Sequence, residues 1–95
     1  MLDPIKTFLQ VVSEGSFTAV ARQQDAAVSS VTRKIDALEA DLGVKLLARS
    51  SRSIMLTDAG AEFLPRAKRL VAEMEDARLV LADLNADPSG LLASR

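Results

Sequence analysis

The chain has no cysteine, histidine, tryptophan or tyrosine among its 95 residues, and each absence removes a kind of chemistry. Without cysteine there is no disulfide framework and no thiolate, which suits a reducing compartment and predicts a cytoplasmic protein. Without histidine or cysteine, a metal could be held only by carboxylates, and the usual general base of an enzyme is missing. We therefore expect no enzyme and no cofactor in this chain. Three phenylalanines are the only aromatic residues, so the core must be aliphatic and base stacking on Tyr or Trp is excluded. No apolar run approaches the roughly 20 residues that cross a bilayer. Asp3-Pro4 stands where a secretory signal would be basic. The balance of 12 basic and 13 acidic residues argues mildly against nucleic acid, whose binding domains are often basic overall, so the position of the charges has to decide.

What is present is helical periodicity. Asp3-Pro4 reads as a helix start, with Asp3 accepting from free backbone amides and Pro4 in the first turn. Ile5, Phe8, Leu9 and Val12 then form one apolar face, and Gly15 ends the helix. Ser16 caps a second helix carrying Phe17, Val20 and Ala21, which runs to about Gln24. After the break Gln24-Asp25-Ala26-Ala27, a longer helix places Val31, Ile35, Leu38 and Leu42 on one side and stops at Gly43. Two helices joined by so short a turn form a helix-turn-helix. Val44, Leu46 and Leu47, then a polar tip, then Ile54-Met55-Leu56 read as a β-hairpin. Thr57-Asp58 caps a fourth helix, in which Phe63, Ala67, Leu70, Met74, Ala77, Leu81 and Leu84 keep a heptad spacing. Pro65 should kink that helix or divide it. The expected fold is mainly α: a winged helix-turn-helix of three helices plus a short β-hairpin wing, followed by a long dimerisation helix. The expected units are residues 1–57, residues 58–86 and a linker over residues 87–95.

At 100° per residue, the third helix sets Ser29, Arg33 and Asp36 opposite its apolar side, with Thr32 beside them. Small hydroxyl residues let a backbone approach a groove, and an arginine can donate a bidentate pair to guanine. Such residues also form ordinary solvated faces. The hairpin adds weight, because no acid lies between Leu42 and Thr57 while Lys45, Arg49 and Arg52 are all basic. Arg49 and Arg52 flank a tip of Ser50 and Ser51 small enough to meet a phosphate backbone or a minor groove. Residues 1–56 hold seven basic and six acidic side chains, and residues 57–95 hold five and seven. The excess acid therefore lies away from the proposed DNA face. Glu73, Glu75 and Asp76 read as a solvated helix face rather than a metal site. A fourth helix with seven apolar positions exceeds what three short helices can cover, so a homodimer is expected. An adaptor that dimerises through this helix and binds an acidic protein with its hairpin is the competing reading.

The run Phe8-x-x-Val11-x-x-x-Gly15-Ser16-Phe17-Thr18-x-x-Ala21 resembles the start of LysR-type transcriptional regulators. So does Val31-Thr32-Arg33-Lys34-Ile35-x-x-Leu38-Glu39-x-x-Leu42-Gly43-x-x-Leu46-Leu47-x-Arg49-x-x-Arg52-x-x-x-Leu56-Thr57-x-Ala59-Gly60. The resemblance covers Leu2 to about Leu84. It implies a bacterial regulator that binds double-stranded DNA as a homodimer, with tetramers a further option for the full-length protein. It also implies a C-terminal domain for a small-molecule inducer, absent here, so the chain is expected to be a fragment. By matching positions, Val28, Ser29, Ser30, Thr32 and Arg33 open the recognition helix. Arg33 matches the base-reading arginine, Arg49, Ser51 and Arg52 fall in the wing, and Thr18 matches a phosphate-touching position. The chain departs from the family at three places. Gln24 replaces a usual Leu, so either the turn packs less well or Gln24 finds a polar partner. Ala27 cannot cap, leaving Ser29 or Asp25 to do so. Val28 replaces a usual Gln and could meet a thymine methyl.

Overall fold

The computed structural model describes residues 2–49 and 53–86. Helix α1 spans Asp3–Glu14, α2 Phe17–Gln24 and α3 Val28–Leu42; strands β1 (Leu47–Arg49) and β2 (Ile54–Leu56) follow, then helix α4 (Asp58–Ala86). The wing tip, with Ser51 and Arg52, and the expected linker over residues 87–95 lie outside the described residues. The architecture is a winged helix-turn-helix with a long C-terminal helix, as the periodicities predict.

Local chemistry explains most boundaries. Gly15 takes the left-handed conformation (φ 71°) and its N–H donates to the Val11 carbonyl at 2.7 Å, which closes α1. Ser16 Oγ accepts from the Ala19 N–H at 3.1 Å and opens α2. Gly43 (φ 78°) ends α3 in the same way as Gly15 ends α1. Thr57 Oγ1 accepts from the Gly60 N–H at 3.0 Å and donates to the Lys45 carbonyl at 2.6 Å, tying the start of α4 to the root of the wing.

Four local expectations are corrected. Asp3 does not cap α1; Leu2 holds the cap position without a side-chain bond, and the Asp3 carboxylate instead meets Lys34. Neither Ser29 nor Asp25 caps α3: Ala27 is its N-cap, with no side-chain hydrogen bond. Asp25 adopts the left-handed conformation (φ 54°) that ends α2, a conformation Asp tolerates better than most residues. Val44 is exposed and outside the hairpin, and Arg49 lies within β1 rather than in a polar tip. Of the two outcomes expected at Pro65, a kink or a division, the division does not occur: α4 is one helix of 29 residues. The backbone bond lost there is offset by packing on either side, since Leu64 and Phe63 rest on the core and Ala67 is wholly buried.

The core joins Phe8 and Val11 of α1, Val20 and Ala21 of α2, Val31, Ile35 and Leu38 of α3, Leu46 and Leu47 at the wing root, and Ala67 of α4. Leu42, expected on that side, is exposed instead. The strands pair antiparallel with Leu47 opposite Leu56, Ala48 opposite Met55 and Arg49 opposite Ile54. Leu47 therefore faces the core while Met55 faces out. A side chain at Gly60 would run into the Leu46 carbonyl oxygen, so only glycine lets α4 approach the wing root this closely. Beyond the core, α4 projects outward, which gives the molecule its 58 × 28 × 20 Å dimensions.

Candidate nucleic-acid interface

The apolar side of α3 faces α1 and α2, so its opposite side is left to solvent. Ser29 and Arg33 are exposed there, Thr32 is half-buried, and Val28 is 43% exposed at the helix start. These four lie on or beside one face. Ser30 does not join them: it stands one turn before Lys34, on the side turned toward the start of α1. Arg33 makes no ion pair among the described residues. Thr18 is exposed in the first turn of α2. With Ala27 as the cap, no side chain bonds the first amides of α3; the Ser30 N–H donates to the Ala27 carbonyl at 3.0 Å, and those of Val28 and Ser29 are left open to another acceptor.

Arg49 is placed differently from an open wing contact. Its Nη2 lies 3.0 Å from Asp36 Oδ1 and 3.7 Å from Glu39 Oε1, and its guanidinium sits 4.9 Å from the centre of the Phe17 ring. The side chain thus bridges β1, the outer face of α3 and the first residue of α2. Glu39 itself is buried. Its Oε2 accepts from the Leu46 N–H at 2.8 Å and the Leu47 N–H at 3.1 Å, while Lys45 Nζ approaches Oε1 at 3.6 Å. The wing is therefore pinned to α3 through one carboxylate. Composition and charge counting missed this role, although a signal was present. Glu39 follows Ile35 by four residues, so it borders the core side of the helix, where a carboxylate must find donors.

Gln24 finds polar partners. Its Nε2 donates to Gln10 Oε1 at 2.7 Å and to Thr7 Oγ1 at 3.1 Å, and its Oε1 accepts from Lys34 Nζ at 3.3 Å. Lys34 Nζ also lies 2.9 Å from Asp3 Oδ2. That hydrogen bond, with the ammonium charge behind it, holds the Asp3 carboxyl below its ordinary 3.8. One amide thus links α1, the end of α2 and α3 just behind the candidate reading face.

The expected seam of α4 divides. Phe63 stacks obliquely on Phe8, with ring centres 5.6 Å apart, and Ala67 is buried in the chain's own core. Met74 and Ala77 are half-buried, whereas Leu70, Leu81 and Leu84 are exposed, as are Leu79 and Val80. Glu75 pairs with Lys6 at 3.6 Å. No group of metal-ligating side chains forms among the described residues, and none of their helices is long and apolar enough to cross a membrane.

Known proteins share both the sequence and the fold. Residues 2–61 match the family described as bacterial regulatory helix-turn-helix protein, lysR family. The HTH-type transcriptional activator AaeR of Escherichia coli K12 is 43% identical over 91 residues, which are 96% of this chain and 29% of that protein. The HTH-type transcriptional regulator CrgA of Neisseria meningitidis is 38% identical over 91 residues, 96% of this chain and 30% of that protein. The chain thus spans about three-tenths of these relatives. Among solved structures, CbnR, a LysR family transcriptional regulator, superposes with a TM-score of 0.76 at 37% identity, covering 88% of this chain and 29% of that one. The BenM DNA-binding domain in its benA site 1 DNA complex gives 0.81 at 31% identity, covering 88% of this chain and 98% of that one. Sequence and architecture agree, and the chain belongs to the LysR family of bacterial regulatory helix-turn-helix proteins.

Proposed function

We propose that this chain is the operator-reading part of a transcription regulator, which lays α3 in the major groove of a pseudo-palindromic site and acts as a homodimer. The observation that carries the reading is the exposed face of α3, where Ser29, Thr32 and Arg33 stand together and Arg33 has no partner among the described residues. Arg33 is assigned to a guanine edge, Ser29 and Thr32 to bases or phosphates, and Val28 to a thymine methyl. Thr18 and Ser30 are assigned to the backbone, as are Ser51 and Arg52 of the wing tip, where a minor groove is the other acceptor. That the similar BenM domain has been solved in complex with DNA supports a DNA-binding role. Residues 1–57 form the reading head and residues 58–86 the dimerising helix, with Leu70, Met74, Ala77, Leu81 and Leu84 meeting the partner. Residues 87–95 lead toward an effector domain for a small-molecule inducer, and pairing of dimers into tetramers belongs to the longer protein.

Arg33→Ala tests the base-reading assignment. Binding to a duplex fragment retained from pooled genomic DNA should weaken by about 1–3 kcal/mol, with relaxed preference at one base pair. Binding to a random-sequence duplex should change far less. An equal loss on both would contradict base reading.

A further inference from the structure

We propose that Arg49 is a positioning residue for DNA reading, not a phosphate contact: it locks the wing onto the recognition helix and spends its charge inside the protein. This rests on the DNA-binding reading above and departs from the sequence expectation that Arg49, like Arg52, meets the phosphate backbone or a minor groove.

Three contacts carry the inference. Asp36 Oδ1 lies 3.0 Å from Nη2, Glu39 Oε1 lies 3.7 Å from the same nitrogen, and the Phe17 ring lies 4.9 Å beneath the guanidinium carbon. A flat, weakly hydrated guanidinium can lie over an aromatic ring while one of its nitrogens faces two carboxylates, an arrangement that a compact, strongly hydrated ammonium reproduces poorly. The partners come from α3 and from the first turn of α2, the two helices whose relative placement defines a helix-turn-helix. Asp36 gives the contact a second consequence. It is exposed on the outer side of α3, one turn beyond Thr32, where a bare carboxylate would repel phosphates. Arg49 neutralises it while drawing β1 against the helix. Glu39 Oε1 accepts no hydrogen bond, and the guanidinium and Lys45 supply the positive charge it faces. The side chain of Arg49 is about two-thirds covered.

A phosphate contact and a positioning contact differ in salt dependence. Each neutralised phosphate adds about 0.9 to the slope of log affinity against log salt. Arg49→Gln should weaken binding to the retained genomic fragment by about tenfold, the scale of one lost base contact, and leave that slope at its parent value. Arg49→Lys keeps the charge and serves as a second variant should Gln perturb folding. It should bind as poorly as Arg49→Gln and lose preference for the retained fragment over a random-sequence duplex, because Lys reaches phosphates but lacks the flat guanidinium that lies on Phe17 while facing Asp36. A slope lowered by about 0.9 in Arg49→Gln, or parental affinity in Arg49→Lys, would overturn the proposal. Failure of the parent chain to prefer any genomic fragment would instead overturn the DNA-reading function itself.

Discussion

A carboxylate beside a helix core is costly unless donors meet it, and Glu39 is met by the amides of Leu46 and Leu47. Those two residues are themselves buried, so truncating Glu39 would leave two amides without an acceptor and without water. Glu39→Ala should cost about 3 kcal/mol in urea unfolding, and Glu39→Gln, which keeps an acceptor oxygen, clearly less; a loss under about 1 kcal/mol for Ala would contradict the pinned wing. Asp3 makes the opposite kind of pair, exposed and solvated, and its contribution is small. The sign is nonetheless fixed. Lys34 holds the folded carboxyl below its ordinary 3.8, so the pair stabilises fully above that value and is lost as pH falls through the lowered one. The difference in Tm between the parent and Asp3→Asn should be constant above about pH 5 and shrink in more acidic buffer. A difference that grew on acidification would refute the pairing.

At the scale of elements, the junction of α1, α2 and α3 is built on Gln24. The Thr7 hydroxyl that accepts from it is wholly buried, so the network cannot simply be handed to water. Gln24→Leu should destabilise by about 1–2 kcal/mol despite the better apolar side chain, and adding Thr7→Val should recover most of the loss, because an unmatched polar group costs more than an absent pair. Higher stability in Gln24→Leu alone would show that the network adds nothing. These elements differ in how readily the sequence discloses them. Helix ends marked by Gly15, Ser16, Gly43 and Thr57 are legible because one residue supplies the whole cause. The strand bounds were not legible, since Val44 and Leu46 share an apolar character while only pairing with Leu56 decides where β1 begins. The undivided course of α4 through Pro65 depends on packing from α1, which a local rule omits. The partners of Arg49 and Gln24 are long-range, drawn from elements 10 to 32 residues away, and no spacing announces them.

For the whole molecule, the two ends of α4 serve different surfaces. Ala67 and the partly buried Leu64 and Phe63 belong to the head, whereas Leu70, Leu81 and Leu84 come later along the helix and stay exposed. A heptad count merges these stretches, because Phe63 and Ala67 continue the same spacing; only the position of α1 separates them. The described arginines and lysines near the reading face are few, and Lys45 and Arg49 already face carboxylates. One protomer would therefore bind DNA weakly, and paired recognition helices would have to supply the affinity. The direct test is to recover the genomic duplex fragments the chain retains and map the sequence it protects. The account predicts paired, inverted half-sites whose centres lie about 34–36 Å apart, or a multiple of that distance, along the duplex. Retained fragments sharing no sequence, or protected as single unpaired sites, would contradict it.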